Sequence, residues 1–418
     1  MDLILASAAV PPVRAQEVGG GETGDDHTAC VLRETLRQIV AVSGGELYVE
    51  PETFSVSDGN VLLAGTPNYL WKPAVGSGKA SSVRNAVFGV VIASDGATRV
   101  VPTPVEGMLV MGVRAVAREA GGWWIAFEEA EWTSETRRII DKRVVALWFG
   151  AFDGQSWIAL EELPLPADVT IRPFSGSTLV RSGDRLAWTL VAAAGPEDER
   201  RVLVYERVAG RWSYQIVPTF SANYAEPAYS RSGELVLAVV EADTTRRVDG
   251  NSLFLYARQP VWRQWRKLVT GYGAPVHHPK LSLSPRGDLL TWWSRVEGRR
   301  EVRARFGAID GGTRRVIEVD PDVAQFALVS LADGRRVWVT DHVVDGQPVR
   351  ELRFVGEAAD SLLAFGDIPN PYDGKFAATT PAPSELLLAG PARGRTDHDP
   401  VVRSLLLRLR IDCGADVP

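Results

Sequence analysis

A strand-turn-strand pattern recurs seven times along this chain of 418 residues. In each copy a tight turn, usually built around glycine, precedes a run of apolar residues. The turns centre on Gly59, Gly121, Gly183, Gly233, Gly287, Gly334 and Ser384, at steps of 47 to 62 residues. A period near this length, with several short strands in each repeat, is typical of propeller blades. The pattern therefore predicts an all-β fold, a seven-bladed β-propeller of four-stranded antiparallel sheets.

One repeat shows the expected order of strands in a blade. Strands A to D are predicted at 225–230, 234–242, 252–258 and 264–269. Strand B is apolar at both odd and even positions, which is expected where neighbouring blades cover both of its faces. Two strand-B segments carry adjacent tryptophans, Trp123-Trp124 and Trp292-Trp293. Because adjacent strand residues point to opposite faces, each pair should fill the gaps on both sides of its blade.

A second motif recurs in the predicted hairpins between strands C and D. It has the form D-G-x-[ST]-[WR] and lies at 95–99, 153–157 and 310–314. The Asp should accept backbone N–H bonds, and the Gly should supply the positive φ of the turn. The motif resembles a shortened Asp box, the S-x-D-x-G-x-[ST]-W hairpin of sialidase-like propellers with bacterial neuraminidase repeats. This resemblance implies the propeller fold, while the hairpin itself is interpreted as a turn without a catalytic part.

The two cysteines, Cys30 and Cys413, lie near opposite ends of the chain. The last apolar segment has the character of a strand C, and no strand D follows it. The N-terminal segment that begins at Cys30 could fill the missing position, antiparallel to the last strand. The N-terminal strand would then complete the last blade, and Cys30 and Cys413 would lie close enough for a disulfide.

Charge and hydropathy exclude several classes of partner. The net charge is −6, and Lys and Arg alternate with Asp and Glu. Without a basic stripe we expect no nucleic-acid partner, and without an apolar run of 18 residues we expect no membrane span. Residues 1–28 are interpreted as a signal-like segment and flexible N-terminal tail, and residues 29–414 as a single propeller. The signal-like segment and the cysteine pair together predict a secreted or periplasmic protein.

Candidate functional residues lie in segments predicted to meet at one face of the propeller, around its central channel. The candidate catalytic residues are Glu226, Asp322 and Asp373. The candidate ligand-binding residues are Arg172, Asn223, Tyr224, His277, His278, Tyr372, Trp71 and Trp132. Carboxylates, amides and aromatic groups of this kind suit a sugar or a peptide. The chain has no phosphate-binding loop, dinucleotide fingerprint, nucleophile elbow or Cys/His metal spacing, so we expect no cofactor and no metal.

These observations favour a non-catalytic, exported and monomeric binding module that recognises a glycan or a protein partner on its channel face. The alternative is a carbohydrate-active enzyme, a glycoside hydrolase or a lyase, that uses carboxylates at the channel mouth. A purely structural scaffold is a third reading. Sialidase activity is not expected, because the predicted channel-face segments lack the arginine triad that a sialidase uses for its substrate. Tyr224 and Glu226 could nevertheless imitate the sialidase nucleophile and its carboxylate partner.

Overall fold

The computed structural model describes the following residues: 4–5, 30–40, 42–44, 47–69, 87–105, 108–132, 142–171, 177–194, 199–230, 232–242, 251–258, 261–270, 276–283, 289–297, 301–308, 316–318, 323–330, 336–344, 347–355, 361–365, 377–379, 385–391 and 404–413. Within these ranges the secondary structure consists of β-strands and turns, with no helix. Accordingly, no helix in the described ranges has the length and apolar character needed to cross a bilayer.

The strands of the N-terminal half are β1 (Ile4–Leu5), β2 (Cys30–Val40), β3 (Val42–Gly44), β4 (Leu47–Ser57), β5 (Asn60–Tyr69), β6 (Val87–Ile92), β7 (Thr98–Pro102), β8 (Leu109–Ala117), β9 (Trp123–Trp132), β10 (Lys142–Phe152), β11 (Trp157–Leu163), β12 (Val169–Ile171), β13 (Thr178–Ser182), β14 (Arg185–Ala194), β15 (Glu199–Val208) and β16 (Arg211–Val217). The strands of the C-terminal half are β17 (Ala222–Tyr229), β18 (Leu235–Ala242), β19 (Asn251–Arg258), β20 (Trp262–Thr270), β21 (Val276–Leu283), β22 (Leu289–Glu297), β23 (Glu301–Ala308), β24 (Val316–Glu318), β25 (Val323–Ser330), β26 (Arg336–Val344), β27 (Gln347–Val355), β28 (Ser361–Phe365), β29 (Ala377–Thr379), β30 (Glu385–Pro391) and β31 (Ser404–Cys413).

The described strands pair into seven antiparallel sheets, which we number from first to seventh along the chain. The first is β4-β5-β6-β7, extended at β4 by β3 and β1. The second to sixth are β8 to β11, β12 to β16, β17 to β20, β21 to β24 and β25 to β28, and the seventh is β29-β30-β31-β2. We call the earliest strand of each run its inner strand; in the third sheet β12 and β13 share this place, since both pair with β14. The predicted all-β class and four-stranded antiparallel sheets are confirmed, and the arrangement is consistent with a β-propeller.

The N-terminal strand joins the last sheet, as predicted. β2 pairs antiparallel with β31, and Cys30 lies directly opposite Cys413 in the register. The side chains of both cysteines lie outside the described residues, so the disulfide stays a prediction.

Apolar side chains fill the spaces between consecutive sheets. Trp123 packs with residues of the first sheet such as Leu62 and Phe88, whereas Trp124 packs against the cluster that joins the second and third sheets. This confirms the prediction that the pair fills both gaps. For Trp292-Trp293 the side chains lie outside the described residues.

The seventh sheet packs on the first. Leu387, Ala389 and Leu406 form one cluster with first-sheet residues including Val61 and Leu63. Burial of such side chains stabilises the fold by roughly 1.5–3 kcal/mol each. The first and last sheets are therefore held together by a core of their own.

Two copies of the D-G hairpin have the predicted geometry. Asp153 Oδ1 accepts hydrogen bonds from the backbone N–H groups of Gln155 and Ser156, both at 2.7 Å. In the earlier copy Asp95 Oδ1 accepts one from Ala97 N–H at 2.9 Å. The glycines of these two turns have φ of +96° and +87°. The copy at 310–314 lies outside the described residues.

Candidate functional site

The inner strands lose their regular pairing at comparable positions in sheet after sheet. In the first, fourth and sixth sheets one extra residue separates paired neighbours, namely Glu52, Asn223 and Ala324. In the second and fifth sheets two residues face one, namely Gly112-Val113 and His278-Pro279. In the third sheet the pairing with β14 is interrupted between β12 and β13. Because a bulge bends its strand and redirects side chains, the repeated bulges change which side chains each face of the inner strands carries.

Polar side chains link the inner strands of the first four sheets near these bulges. We call this group the inner-strand polar chain; its members are Glu52, Arg114, Ser177, Thr178, Tyr224 and Glu226.

Glu52 and Arg114 form the first part of the inner-strand polar chain. Glu52 Oε2 accepts hydrogen bonds from the backbone N–H of Val113 at 2.7 Å and from Arg114 Nη1 at 3.3 Å. Arg114 also donates through Nη1 to the Val113 carbonyl at 2.6 Å and through Nε to the Ser177 carbonyl. One guanidinium group therefore connects three neighbouring sheets, and these hydrogen bonds fix the direction of its donors.

Glu226 is the centre of the second part. Its Oε2 accepts hydrogen bonds from Tyr224 Oη at 2.9 Å and from Thr178 Oγ1 at 3.0 Å. The residue is buried, with 6% of its surface exposed. Thr178 belongs to the third sheet and the other two residues to the fourth, so this contact also bridges two sheets.

A further carboxyl group lies behind the bulge of the second sheet. Glu128 on β9 has no exposed surface, and neither of its carboxylate oxygens has a hydrogen-bond partner among the described residues. The pKa of this group is raised from 4.5 to about 8, first by burial and then by the Glu52 carboxylate, while the Arg114 guanidinium opposes the shift. Glu128 is therefore largely uncharged at neutral pH.

The structure brings three predicted site residues together on β17. Asn223 is the bulge residue, and Tyr224 and Glu226 are joined by a hydrogen bond. The strand begins at Ala222, earlier than the strand A predicted at 225–230.

For the other candidates the structure gives at most the backbone position. His277 and His278 are strand residues of β21. Trp132 was predicted in a loop, but it is the last residue of β9, because its pairing with Lys142 extends the strand. The side chains of these three lie outside the described residues, and so do Asp322, Asp373, Arg172, Tyr372 and Trp71 altogether.

The sequence interpretation missed Glu52, Arg114 and Glu128. A usable signal existed only for Glu128, which interrupts an apolar strand segment that begins at Trp123. Glu52 and Arg114 become prominent only through their bulges, which the residue pattern does not reveal. Within the described ranges, no group of three or more His, Cys, Asp or Glu side chains is arranged to hold a metal ion.

No protein-family model matches the chain, and no curated protein sequence matches it. Solved structures do. A protein of unknown function from Dyadobacter fermentans matches with a TM-score of 0.53 at 11% identity, over 91% of this chain and 99% of that one. A polysaccharide lyase matches with a TM-score of 0.53 at 10% identity, over 86% of this chain and 90% of that one. Identities this low show the fold alone; the lyase has a β-propeller fold, and the sheets of this chain are consistent with it. The resemblance to sialidase-like propellers is consistent with these matches but is not singled out by them.

Proposed function

We propose that this chain is a seven-bladed β-propeller that binds a glycan on its channel face, at the inner-strand polar chain. Each of the seven described sheets is one blade, residues 29–414 form a single unit, and the pairing of β2 with β31 closes the ring. The packing of the seventh sheet on the first supports this closure.

One observation carries the proposed ligand class. The inner-strand polar chain combines carboxylates, a guanidinium and hydroxyls on four adjacent inner strands. Sugar hydroxyls both donate and accept hydrogen bonds, and they are bound by such mixed sets of groups. The inner-strand polar chain has two carboxylates and one guanidinium, a net charge that favours a hydroxyl-rich ligand over an anionic one.

The burial of the carboxyl groups favours binding over catalysis. A general acid or base has to reach the proton that it transfers, directly or through one water molecule. Glu226 is already engaged by two hydroxyl groups and is almost completely covered, and Glu128 is wholly covered. Both groups would need a rearrangement of the inner strands before they could touch a substrate.

Export and a monomeric state belong to the same proposal. The signal-like segment at residues 1–28 and the register that places Cys30 opposite Cys413 support a secreted or periplasmic location.

A carbohydrate-active enzyme is the second candidate function. Two observations favour it: the Tyr224–Glu226 hydrogen bond of 2.9 Å, and the raised pKa of Glu128 beside Glu52. Pairs of titratable groups whose surroundings push their pKa values apart are a common feature of acid-base sites. One solved structure with this fold is a polysaccharide lyase, so the architecture can accommodate such chemistry.

A glycan array that scores binding and turnover on the same purified protein tests both functions. We expect binding without product release, and roughly tenfold weaker binding for Tyr224→Phe and Glu226→Gln, since the first loses a hydrogen bond that orders the site and the second replaces its charged acceptor by a neutral one. Glu162→Gln, an exposed change on β11, is the matched control.

Turnover that both site variants abolish and the control retains would replace the binding proposal with the enzymatic one. Binding that is unchanged in both site variants would contradict the placement of the site. Absence of any glycan ligand, with capture of a defined protein partner instead, would overturn the ligand class.

A further inference from the structure

Glu128 occupies a position that the proposed function does not explain. It shares its strand face with Trp124 and Ala126, which pack toward the third sheet. An unpartnered carboxyl group in such surroundings is costly, more so when it is charged. A buried group of this kind is expected to have a role that offsets the cost.

Gly112 provides the room for the Glu128 carboxyl group. The backbone of Gly112 has a φ of +58°, and a Cβ atom placed there would lie 2.4 Å from Glu128 Oε1 and 2.6 Å from its Cδ. The carboxyl group thus fills the volume that a side chain at the bulge would take. From the other side, Ser177 Oγ donates to the Gly112 carbonyl at 3.4 Å. The bulge lies between Glu128 and the third sheet.

Two charged groups act on Glu128 from the strands that pack against it. They are the Glu52 carboxylate on β4 and the Arg114 guanidinium on β8. The neighbouring Glu129 is engaged separately, since it accepts a hydrogen bond from Trp148 Nε1 at 2.8 Å. One guanidinium therefore acts electrostatically on two carboxyl groups, and it forms an ion pair with Glu52.

We propose that Glu128 is a positioning residue: in its uncharged form it leaves Arg114 paired with Glu52, and loss of its proton draws Arg114 away and loosens the bulge of the second sheet. Arg114 would then release the Ser177 carbonyl as well, so the tie between the first three sheets weakens. The proton passes to solvent, and no other group is consumed. Any effect of this proton loss on glycan binding rests on the proposed function, whereas the rearrangement of Arg114 does not.

The direction of the pH effect follows from the raised pKa. In the unfolded chain Glu128 ionises near 4.5, and in the folded protein near 8. Its contribution to stability is therefore complete below about pH 4.5 and is lost as the pH rises through about 8.

Infrared spectroscopy of the full-length, ligand-free protein tests the protonation state directly. We expect the carbonyl band of a protonated carboxylic acid at pH 7, its loss as the pH passes about 8, and its absence from Glu128→Gln. A wild-type spectrum without this band at pH 7 would overturn the proposal, and this measurement does not require that any variant folds.

A double-mutant cycle tests the positioning role. The coupling between Glu52→Gln and Arg114→Gln, read from unfolding midpoints, should be clear at pH 6 and largely lost at pH 9 in the wild-type background. In the Glu128→Gln background the coupling should persist at pH 9, because the amide cannot ionise. Coupling that falls equally in both backgrounds would contradict the proposal, since a merely structural role for Glu128 gives that result. Neither experiment uses a glycan, so failure here is distinct from failure of the proposed function.

Discussion

Gly112 and Gly183 allow the effect of backbone conformation to be separated from that of packing. Both have a φ of +58°, a region that side chains with a Cβ atom adopt at a cost. A Cβ atom at Gly183 would meet nothing within 4 Å, whereas one at Gly112 would collide with the buried Glu128 carboxyl group. The end of a glutamate side chain can normally move aside, but this one is completely enclosed.

We therefore expect Gly183→Ala to reduce the free energy of unfolding by about 1–2 kcal/mol, the cost of the left-handed backbone. Gly112→Ala should lose a further ~1–3 kcal/mol through overpacking. Denaturant unfolding of the two variants side by side measures the difference. Equal losses would mean that Glu128 does not occupy the space beneath the bulge.

At the scale of single residues, the sequence interpretation found one part of the site. Tyr224 and Glu226 were predicted as neighbours in one channel-face segment that could imitate a sialidase nucleophile and its carboxylate partner, and the structure joins them by a hydrogen bond. Glu128 was missed although it is a charged residue within an apolar strand, and Glu52 and Arg114 come together from different sheets. Contacts between sheets depend on bulges that the spacing of residue types does not encode.

The hairpins between the third and fourth strands are local elements, and their motif predicted them well. Asp153 holds its turn through two backbone N–H groups, while Asp95 holds its turn through one. The hydrogen bonds from Ser156 N–H and then Gln155 N–H lower the pKa of the Asp153 carboxyl group. This stabilisation is therefore present above the unfolded pKa and is lost as the pH falls through the lower, folded value.

Asp153→Ala should lower the thermal unfolding midpoint at pH 7, and Asp95→Ala should lower it by less, because fewer hydrogen bonds are lost. For Asp153→Ala the difference from wild type should shrink as the pH falls from the unfolded pKa through the lower, folded pKa of Asp153, where the wild-type carboxylate becomes protonated. Midpoints measured over a pH series give both comparisons. A deficit in Asp153→Ala that does not vary with pH would argue against a charge-assisted turn.

At the scale of the whole molecule, one early strand and the last described strand lie in one sheet. β2 comes from the N-terminal part and β31 from the C-terminal end, and β31 also carries Arg408, which donates to the Gly59 carbonyl of the first sheet at 2.8 Å. A bond between Cys30 and Cys413 would close a loop that includes nearly the whole chain. In the chain-entropy description such a loop stabilises the fold by up to roughly 5 kcal/mol.

We expect the protein purified under oxidising conditions to contain this disulfide, visible as an intramolecular link between the two terminal peptides in mass spectrometry. A reducing agent should lower the unfolding midpoint of the wild type. The double variant Cys30→Ser, Cys413→Ser should resemble the reduced wild type and should not respond to the reducing agent. Two free thiols in the oxidised preparation would refute the prediction.

The sequence alone determined the strand-rich architecture, the hairpin turns and the pairing of the segment that begins at Cys30 with the last strand. The first two features depend on residue periodicity and turn chemistry, which act over short stretches of chain. The third was predictable because no strand D follows the last strand in the sequence. The tertiary structure decided which polar groups meet. Glu52 lies in a different sheet from Arg114 and Glu128, and the three residues come together where β4 and β8 are bulged. Their shared electrostatics, including the proton retained by Glu128, exist only once the sheets have packed and excluded water.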